Sequence, residues 1–357
     1  MSGLLLVGAD PAPMLAHDTG PGHPERPERL AAVHRALRAR FPDPDRWLDA
    51  PPAPREALVR VHDERHVERV LATSGTRGWL DPDTPYGPRS AEAARLAAGC
   101  ALEAVRAVRD GRAATAFAAV RPPGHHAERD RAQGFCLFNN AAVAIADALA
   151  REPSGRVLVV DWDVHHGNGV QHLFDDDPRV LHVDLHQHPL YPGTGRPEET
   201  GRGAGRGWSV NVALPAGRTD ADYLEVFDAL LTPAMERFAP GLVVVSAGFD
   251  AHRDDPLGGM RLTADGFAAL AGRLVTWTRA AGARGPAAIL EGGYDLAGLA
   301  GSAAAVAAVL DGEPAPDPAG RADAATRAAI EATRGAHRAT SGPLGAAGRH
   351  DGRGETR

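Results

Sequence analysis

The stretch Val157-Leu158-Val159-Val160-Asp161-Trp162-Asp163-Val164-His165-His166-Gly167-Asn168-Gly169 decides how the whole chain is read. Four apolar residues without a polar interruption suit a strand buried on both faces, as in a parallel sheet. Side chains alternate along a strand, so an Asp-x-Asp-x-His run leaving it should put Asp161, Asp163 and His165 on one side, at the sheet's carboxyl edge. Carboxylates with an imidazole suit zinc or another divalent transition ion, and catalytic zinc takes three protein ligands while keeping a fourth position for water. An Asp pair at a strand end can equally cap the helix that follows.

Working outward, further apolar runs occur at Leu4-Leu5-Leu6-Val7, residues 116–120, residues 180–185, Leu242-Val243-Val244-Val245 and Ala287-Ala288-Ile289-Leu290. Helical stretches lie between them. Ser90 is placed to cap a helix over 91–108, in which Leu96, Cys100 and Ala104 share a face. Asp220 is placed to cap one over 223–238, which Pro233 should kink, and Thr263 starts one over 267–280. This alternation predicts a doubly wound α/β sheet with ligands at the carboxyl ends of its strands.

A chain of 357 residues can hold one such unit plus an appendage, and 43% hydrophobic with 24% charged residues supply a sizeable core. The net charge is −7 and every basic residue is arginine, so direct nucleic-acid binding is not expected. The wealth of Ala, Arg, Gly and Pro reads as the codon bias of a GC-rich bacterial genome. Cys100 and Cys136 cannot build a disulfide framework, which points to a reducing compartment. No run approaches the ~20 apolar residues of a membrane span, and the opening MSGLLLVGADPAP lacks the basic and long apolar regions of a signal peptide. A cytoplasmic protein without a membrane partner is therefore expected. From Asp311 onward Pro, Gly, Ala, Arg and Asp dominate, with one weak helical stretch near 322–333, and 342–357 reads as a disordered tail.

Three more strand ends carry chemistry. Val243-Val244-Val245-Ser246-Ala247-Gly248-Phe249-Asp250 delivers a carboxylate that joins the first set if the two strands are neighbours, or else caps a helix. Arg121-Pro122-Pro123-Gly124-His125-His126 offers adjacent histidines for general base work beside a metal-activated water. Ile289-Leu290-Glu291-Gly292-Gly293-Tyr294 offers a tyrosine hydroxyl as a hydrogen-bond donor.

Taken together and in this order, the His-His, Asp-x-Asp-x-His-His, Asp and Gly-Gly-Tyr strand ends resemble the histone deacetylase superfamily over roughly residues 1 to 310. His23-Pro24-Glu25-Arg26-Pro27-Glu28-Arg29, Asn168 in His-His-Gly-x-Gly, and Glu291-Gly-Gly-Tyr294 are similar to its class II and bacterial amidohydrolase branch, which includes acetylpolyamine amidohydrolases. The resemblance implies an arginase-like three-layer α/β/α sandwich around a parallel sheet and a catalytic domain over 1–312, while composition makes 313–357 an extension expected to be largely disordered. It implies one zinc ion per chain, with ferrous iron as the alternative, held by Asp163, His165 and Asp250. His126 becomes the general base and acid, oriented by Asn168 and made less basic than a carboxylate partner would make it. His125 is held by Asp161, and Tyr294 polarises the scissile carbonyl.

Carried over in the same way, Gly134 and Phe135 form one wall of the acyl channel. Tyr191 forms the other, where the family usually has Phe. Asp83 is the rim aspartate, with Asp81 as a rival, Leu257 is the gatekeeper, and Arg29 lies beneath the site. The resemblance also implies potassium, held at an inner site by Asp161, Asp163, His165, Asp184 and Leu185, and at an outer site by Phe174, Asp177, Val180 and Trp208. The substrate expected is an acetyl-lysine peptide or another small acylated, lysine-like amine. An acetylpolyamine is the alternative, although Leu257 stands where a polyamine-selective pocket carries Glu. A catalytically silent acyl-lysine-binding protein would need a catalytic group to be lost, and none is. Long loops of such proteins can meet in homo-oligomers, a point the sequence leaves open.

Overall fold

The structure, a computed structural model, describes residues 3–345. Its core is an eight-stranded sheet made of β1 (Leu4–Val7), β2 (Trp47–Leu48), β5 (Thr115–Ala118), β6 (Val157–Asp161), β7 (Val180–Gln187), β8 (Ser209–Leu214), β9 (Leu242–Ala247) and β10 (Arg284–Leu290), while β3 (Gly78–Asp81) and β4 (Thr84–Tyr86) form a separate antiparallel hairpin. The strands of the large sheet lie in the order β2-β1-β5-β10-β9-β6-β7-β8. Every pairing in it is parallel. All residues of β5, β6 and β9 are buried, as the unbroken apolar runs require of strands covered on both faces. The helices Ser90–Arg109 and Asn140–Arg151 pack on each other, and Pro27–Arg40, Ala264–Ala281 and Leu296–Leu310 form a second group. The expected α/β sandwich is the observed one.

This order places β5, β10, β9 and β6 side by side. They are the four strands whose ends carry the chemical motifs. Their register aligns Asp161 with Ser246, Leu290 with Ala247 and Ile289 with Ala118, so the four carboxyl ends emerge at one level.

Several local expectations are corrected. Ser90 does not cap its helix: it is the helix's first residue, and its hydroxyl accepts the Gly87 N–H at 2.8 Å and contacts His17 Nδ1 at 2.6 Å. Thr219, not Asp220, opens the next helix in a capping box with Asp222. The Asp220 carboxylate instead takes the backbone N–H and hydroxyl of Thr263, at 2.8 and 2.7 Å, which joins the starts of two helices. Proline lacks an N–H to give, and around Pro233 the chain passes through a π turn at Phe227–Leu231 between the helices Asp220–Val226 and Thr232–Phe238. Strand β8 escapes a search for apolar runs because Ser209 and Asn211 interrupt it.

The extension is not largely disordered through residue 345. Asp323 caps a helix over Ala324–His337 that buries Thr326, Ile330, Thr333 and His337, and the Thr333 hydroxyl donates to the Asn211 carbonyl of β8 at 2.8 Å. The many Ala, Arg and Gly around it hid a buried face of Thr326, Ile330, Thr333 and His337, only one of them aliphatic. The remainder of the expected tail, 346–357, lies outside the described residues. If this helix is part of the folded body, Ile330→Ala should lower unfolding free energy by about 2 kcal/mol or more in a denaturant titration. An unchanged midpoint would show that the helix contributes nothing.

Candidate active site and metal centre

Strand β6 ends at Asp161, so simple alternation does not carry through to His165 as the sequence reading supposed. Beyond it the chain turns, with the Asp163 N–H on Asp161 Oδ1 (3.1 Å) and the His165 N–H on Asp163 Oδ1 (3.0 Å). These turns separate the three expected neighbours into two clusters. Asp163 and His165 meet Asp250 from the turn after β9, whereas Asp161 meets His182 and Asp184 from β7.

In the first cluster His165 Nδ1 lies 3.1 Å from Asp163 Oδ1 and 3.1 Å from Asp250 Oδ2. The outward oxygens are held by backbone donors: Gly292 N–H reaches Asp163 Oδ2 at 2.8 Å, and Val164 N–H reaches Asp250 Oδ1 at 2.7 Å. Both carboxylates are fully buried. Burial and the Asp163 charge push the Asp250 carboxyl up to about 7. Burial alone would lower His165, but the two carboxylates outweigh it and raise the imidazole to about 10. The donor set fits zinc, since tetrahedral bonds of about 2.0–2.2 Å separate donors by about 3.3–3.6 Å, close to these spacings. A divalent cation would also balance two buried like charges.

The tandem histidines follow β5. Glu291, the first residue after β10, accepts the N–H groups of Gly124 (2.6 Å) and His125 (3.1 Å) on one carboxylate oxygen, while burial pushes its carboxyl up to about 7. His125 Nδ1 is 3.0 Å from Asp161 Oδ2, and the Asp163 and Asp161 charges overcome burial to hold it well above the ordinary imidazole range. His126 Nδ1 is 2.7 Å from Asn168 Oδ1. Burial, then the His125 and His165 charges, hold His126 well below that range. The lowering expected from an amide partner is therefore mainly the work of burial and of neighbouring imidazoles.

Aromatic rings surround this floor. Tyr191 stands edge-on to His126 with ring centres 5.1 Å apart, and Phe135 packs on Tyr294 (5.9 Å) and His23 (4.8 Å). Arg29 donates to the Gly293 and Glu291 carbonyls and to Glu25, and its guanidinium lies 4.7 Å from the centre of the Tyr294 ring. Burial pushes the Tyr294 hydroxyl well above its usual value, so it stays protonated.

Residues 23–310 match the family model described as the histone deacetylase domain. The chain belongs to the histone deacetylase family. It is 44% identical over 285 residues to a histone deacetylase-like amidohydrolase of Pseudomonas aeruginosa (77% of this chain, 73% of that one). It is 40% identical over 287 residues to a probable deacetylase of Archaeoglobus fulgidus (80% of each chain). Against histone deacetylase 15 of Arabidopsis thaliana it is 41% identical over 308 residues, 82% of this chain but 53% of the plant protein. The crystal structure of the HDA15 HD domain superposes with a TM-score of 0.85 at 38% identity, covering 94% of each chain. Relatives named deacetylase and amidohydrolase place this member of the histone deacetylase family among the hydrolases.

The other residues singled out from the sequence divide in two. Asp83 Oδ1 accepts the Gly134 N–H (3.1 Å) and the Thr84 hydroxyl (3.0 Å), while Asp81 accepts the Asp83 N–H at 3.4 Å. Leu257 is half-buried and its N–H is held by Asp255 at 2.9 Å. The inner cation residues Asp161 and Asp184 are together, joined by His182, which the sequence reading did not include. Leu185 is buried in β7 alongside them. At the outer set, the Phe174, Asp177 and Trp208 carbonyls take the N–H groups of Asp177, Val180 and His182. Glu128, Glu291, Gly248 and Gly292 were missed as site residues. The Glu-Gly-Gly run and the glycine ahead of Asp250 were the hints to three of them, and nothing hinted at Glu128.

Gly292 leaves room for the carboxylates: a Cβ there would stand 2.1 Å from Asp250 Oδ2 and 2.5 Å from Asp163 Oδ2. Gly292→Ala should therefore weaken zinc binding about 10–100-fold, the usual cost of disturbing groups that orient ligands. Gly301→Ala, with nothing within 4 Å, is the control. Competition against a chelator measures both, and equal affinities would refute a metal site at these carboxylates.

Proposed function

We propose that this chain hydrolyses the amide of an acetylated or short-acylated, lysine-like primary amine and releases the carboxylic acid and the free amine. The observation that carries this reading is the convergence of Asp163, His165 and Asp250 beside His126, whose ring centre lies 5.9 Å from that of His165. Zinc, or ferrous iron in its place, would be held by those three residues and supplies, when bound, a Lewis acid that polarises the acyl carbonyl and acidifies the attacking water.

The protein's own groups do the rest. With Nδ1 committed to Asn168, His126 takes the water proton at Nε2 and later returns it to the departing amine. His125, kept charged by Asp163 and Asp161, sets the field around that base. Tyr294 donates its hydroxyl as negative charge grows on the carbonyl oxygen. Phe135 and Tyr191 grip the linear chain, and the Gly134 carbonyl accepts the substrate's amide N–H while Asp83 anchors the loop from below.

A lysine-like substrate is favoured over a polyamine by how the acids near the mouth are used. Asp255, 7% exposed, is spent on the N–H groups of Leu257, Tyr294 and Asp295. Asp254 is exposed beside Arg253 and His252. Neither is a free buried partner for a second ammonium. Potassium at the Asp161 and Asp184 cluster, the outer cation set, a cytoplasmic bacterial setting and self-association through the loops are further parts of this proposal. Among the described residues no helix is long and apolar enough to cross a membrane.

Two measurements test the reading. In a panel of acetyl-lysine and short-acyl peptides, acetylputrescine and acetylspermidine, the peptides should give the higher kcat/KM, and Leu257→Glu should raise the acetylspermidine-to-peptide ratio by about fivefold. A wild-type preference for the polyamines would reverse the assignment. Tyr294→Phe should keep its metal and lose about 10²-fold in kcat, the scale of one oxyanion donor. Near-normal turnover would reduce Tyr294 to a packing residue.

A further inference from the structure

The hydrogen bond between His126 and Asn168 does not by itself say which nitrogen of His126 carries the proton. A side-chain amide can present either its oxygen or its NH2 group by turning over, and a neutral imidazole can answer either. The answer lies one residue further out. Asn168 Nδ2 donates to Glu128 Oε1 at 2.6 Å, its short bond, and to the His126 carbonyl at a longer 3.4 Å, and His172 Nδ1 meets the same Glu128 oxygen at 2.8 Å. Glu128 sits in the loop just after the tandem histidines, is 6% exposed, and its backbone is fixed by the Arg131 carbonyl and by His62.

An ionised carboxylate accepts hydrogen bonds and cannot donate them. Glu128 therefore requires the NH2 end of Asn168 to face it, which turns Oδ1 toward His126. His126 Nδ1 must then donate, and the lone pair is left on Nε2. We propose that Glu128 is a positioning residue that locks the His126 tautomer through Asn168, so that the base is always presented with Nε2 free. The negative charge behind the amide also polarises Oδ1, which strengthens its bond to the imidazolium formed when His126 takes a proton. A neutral amide in the His126 contact is thus backed by a charge one bond away. This inference rests on His126 being the proton acceptor of the proposed reaction.

The test uses the full-length, zinc-loaded chain, with three variants beside wild type. Two-bond 1H–15N correlation of the imidazoles should find wild-type His126 in the Nδ1–H form, and Glu128→Ala should convert it to a mixture. With zinc content unchanged, Glu128→Ala should lower kcat about 10–100-fold and leave KM within about twofold, short of the ~10⁴-fold that a wrong tautomer can cost a catalytic histidine. Glu128→Gln still offers an acceptor and should recover most of that loss.

Asn168→Asp provides an arm that does not depend on whether Glu128→Ala folds. It sets a carboxylate against Glu128 and should be severely impaired, and adding Glu128→Gln should restore at least about tenfold, because the glutamine NH2 can donate to the introduced carboxylate. A purely structural role would make Glu128→Gln equally harmful, or equally neutral, in both backgrounds. Unchanged tautomer and kcat in Glu128→Ala, or additive effects in the double variant, would overturn the lock. Undiminished turnover in His126→Ala would instead overturn the assignment of the base, which keeps the two failures distinct.

Discussion

Two carboxylates held against one imidazole, out of reach of water, are what the rest of this structure is arranged around. Asp163 and Asp250 would repel each other in a buried site, and three features keep them there. Val164 and Gly292 donate backbone N–H groups to the outward oxygens, His165 stands between the inward ones, and glycines at 248 and 292 clear the space a Cβ would fill. A divalent metal would supply the rest of the positive charge that two buried carboxylates call for. This economy depends on β5, β10, β9 and β6 being adjacent and parallel, since only then do loops from four strand ends arrive at one level.

The same alignment divides the labour among the histidines. Asp161 lies in the second cluster with His182 and Asp184, where one oxygen faces His125 Nδ1 and the other takes the Asp163 N–H. His126 has no carboxylate in direct contact through Nδ1, only the amide of Asn168, and burial with the neighbouring His125 and His165 charges holds it well below the ordinary imidazole range. One imidazole is thus biased toward its charged form and its neighbour away from it, with ring centres 4.0 Å apart. Pairs pushed apart in this way are how one site supplies both a fixed positive field and a free base.

Much of this was legible in the sequence, and the reasons are particular. β6 and β9 announce themselves because strands buried on both faces are mostly apolar, and the Asp and His that follow break those runs abruptly. The strand ends themselves suggested that Asp250 joins Asp163 and His165, but the exclusion of Asp161 was accessible only through the resemblance, because the turns after Asp161 cancel the alternation that a strand would impose. Glu128 was invisible for a different reason. Its importance comes from Asn168, which lies 40 positions away and reaches it only after folding. The helix Ala324–His337 was underrated because its buried face is two threonines, a histidine and a single Ile330, which do not look apolar in sequence.

The most direct test of the account is the position of the metal. Anomalous scattering collected at the zinc edge from crystals of the loaded protein should give one peak per chain bounded by Asp163, His165 and Asp250, open on the side of His126 and Tyr294. A peak at Asp161, His182 and Asp184 instead, or no peak among these strand ends at saturating zinc, would contradict it.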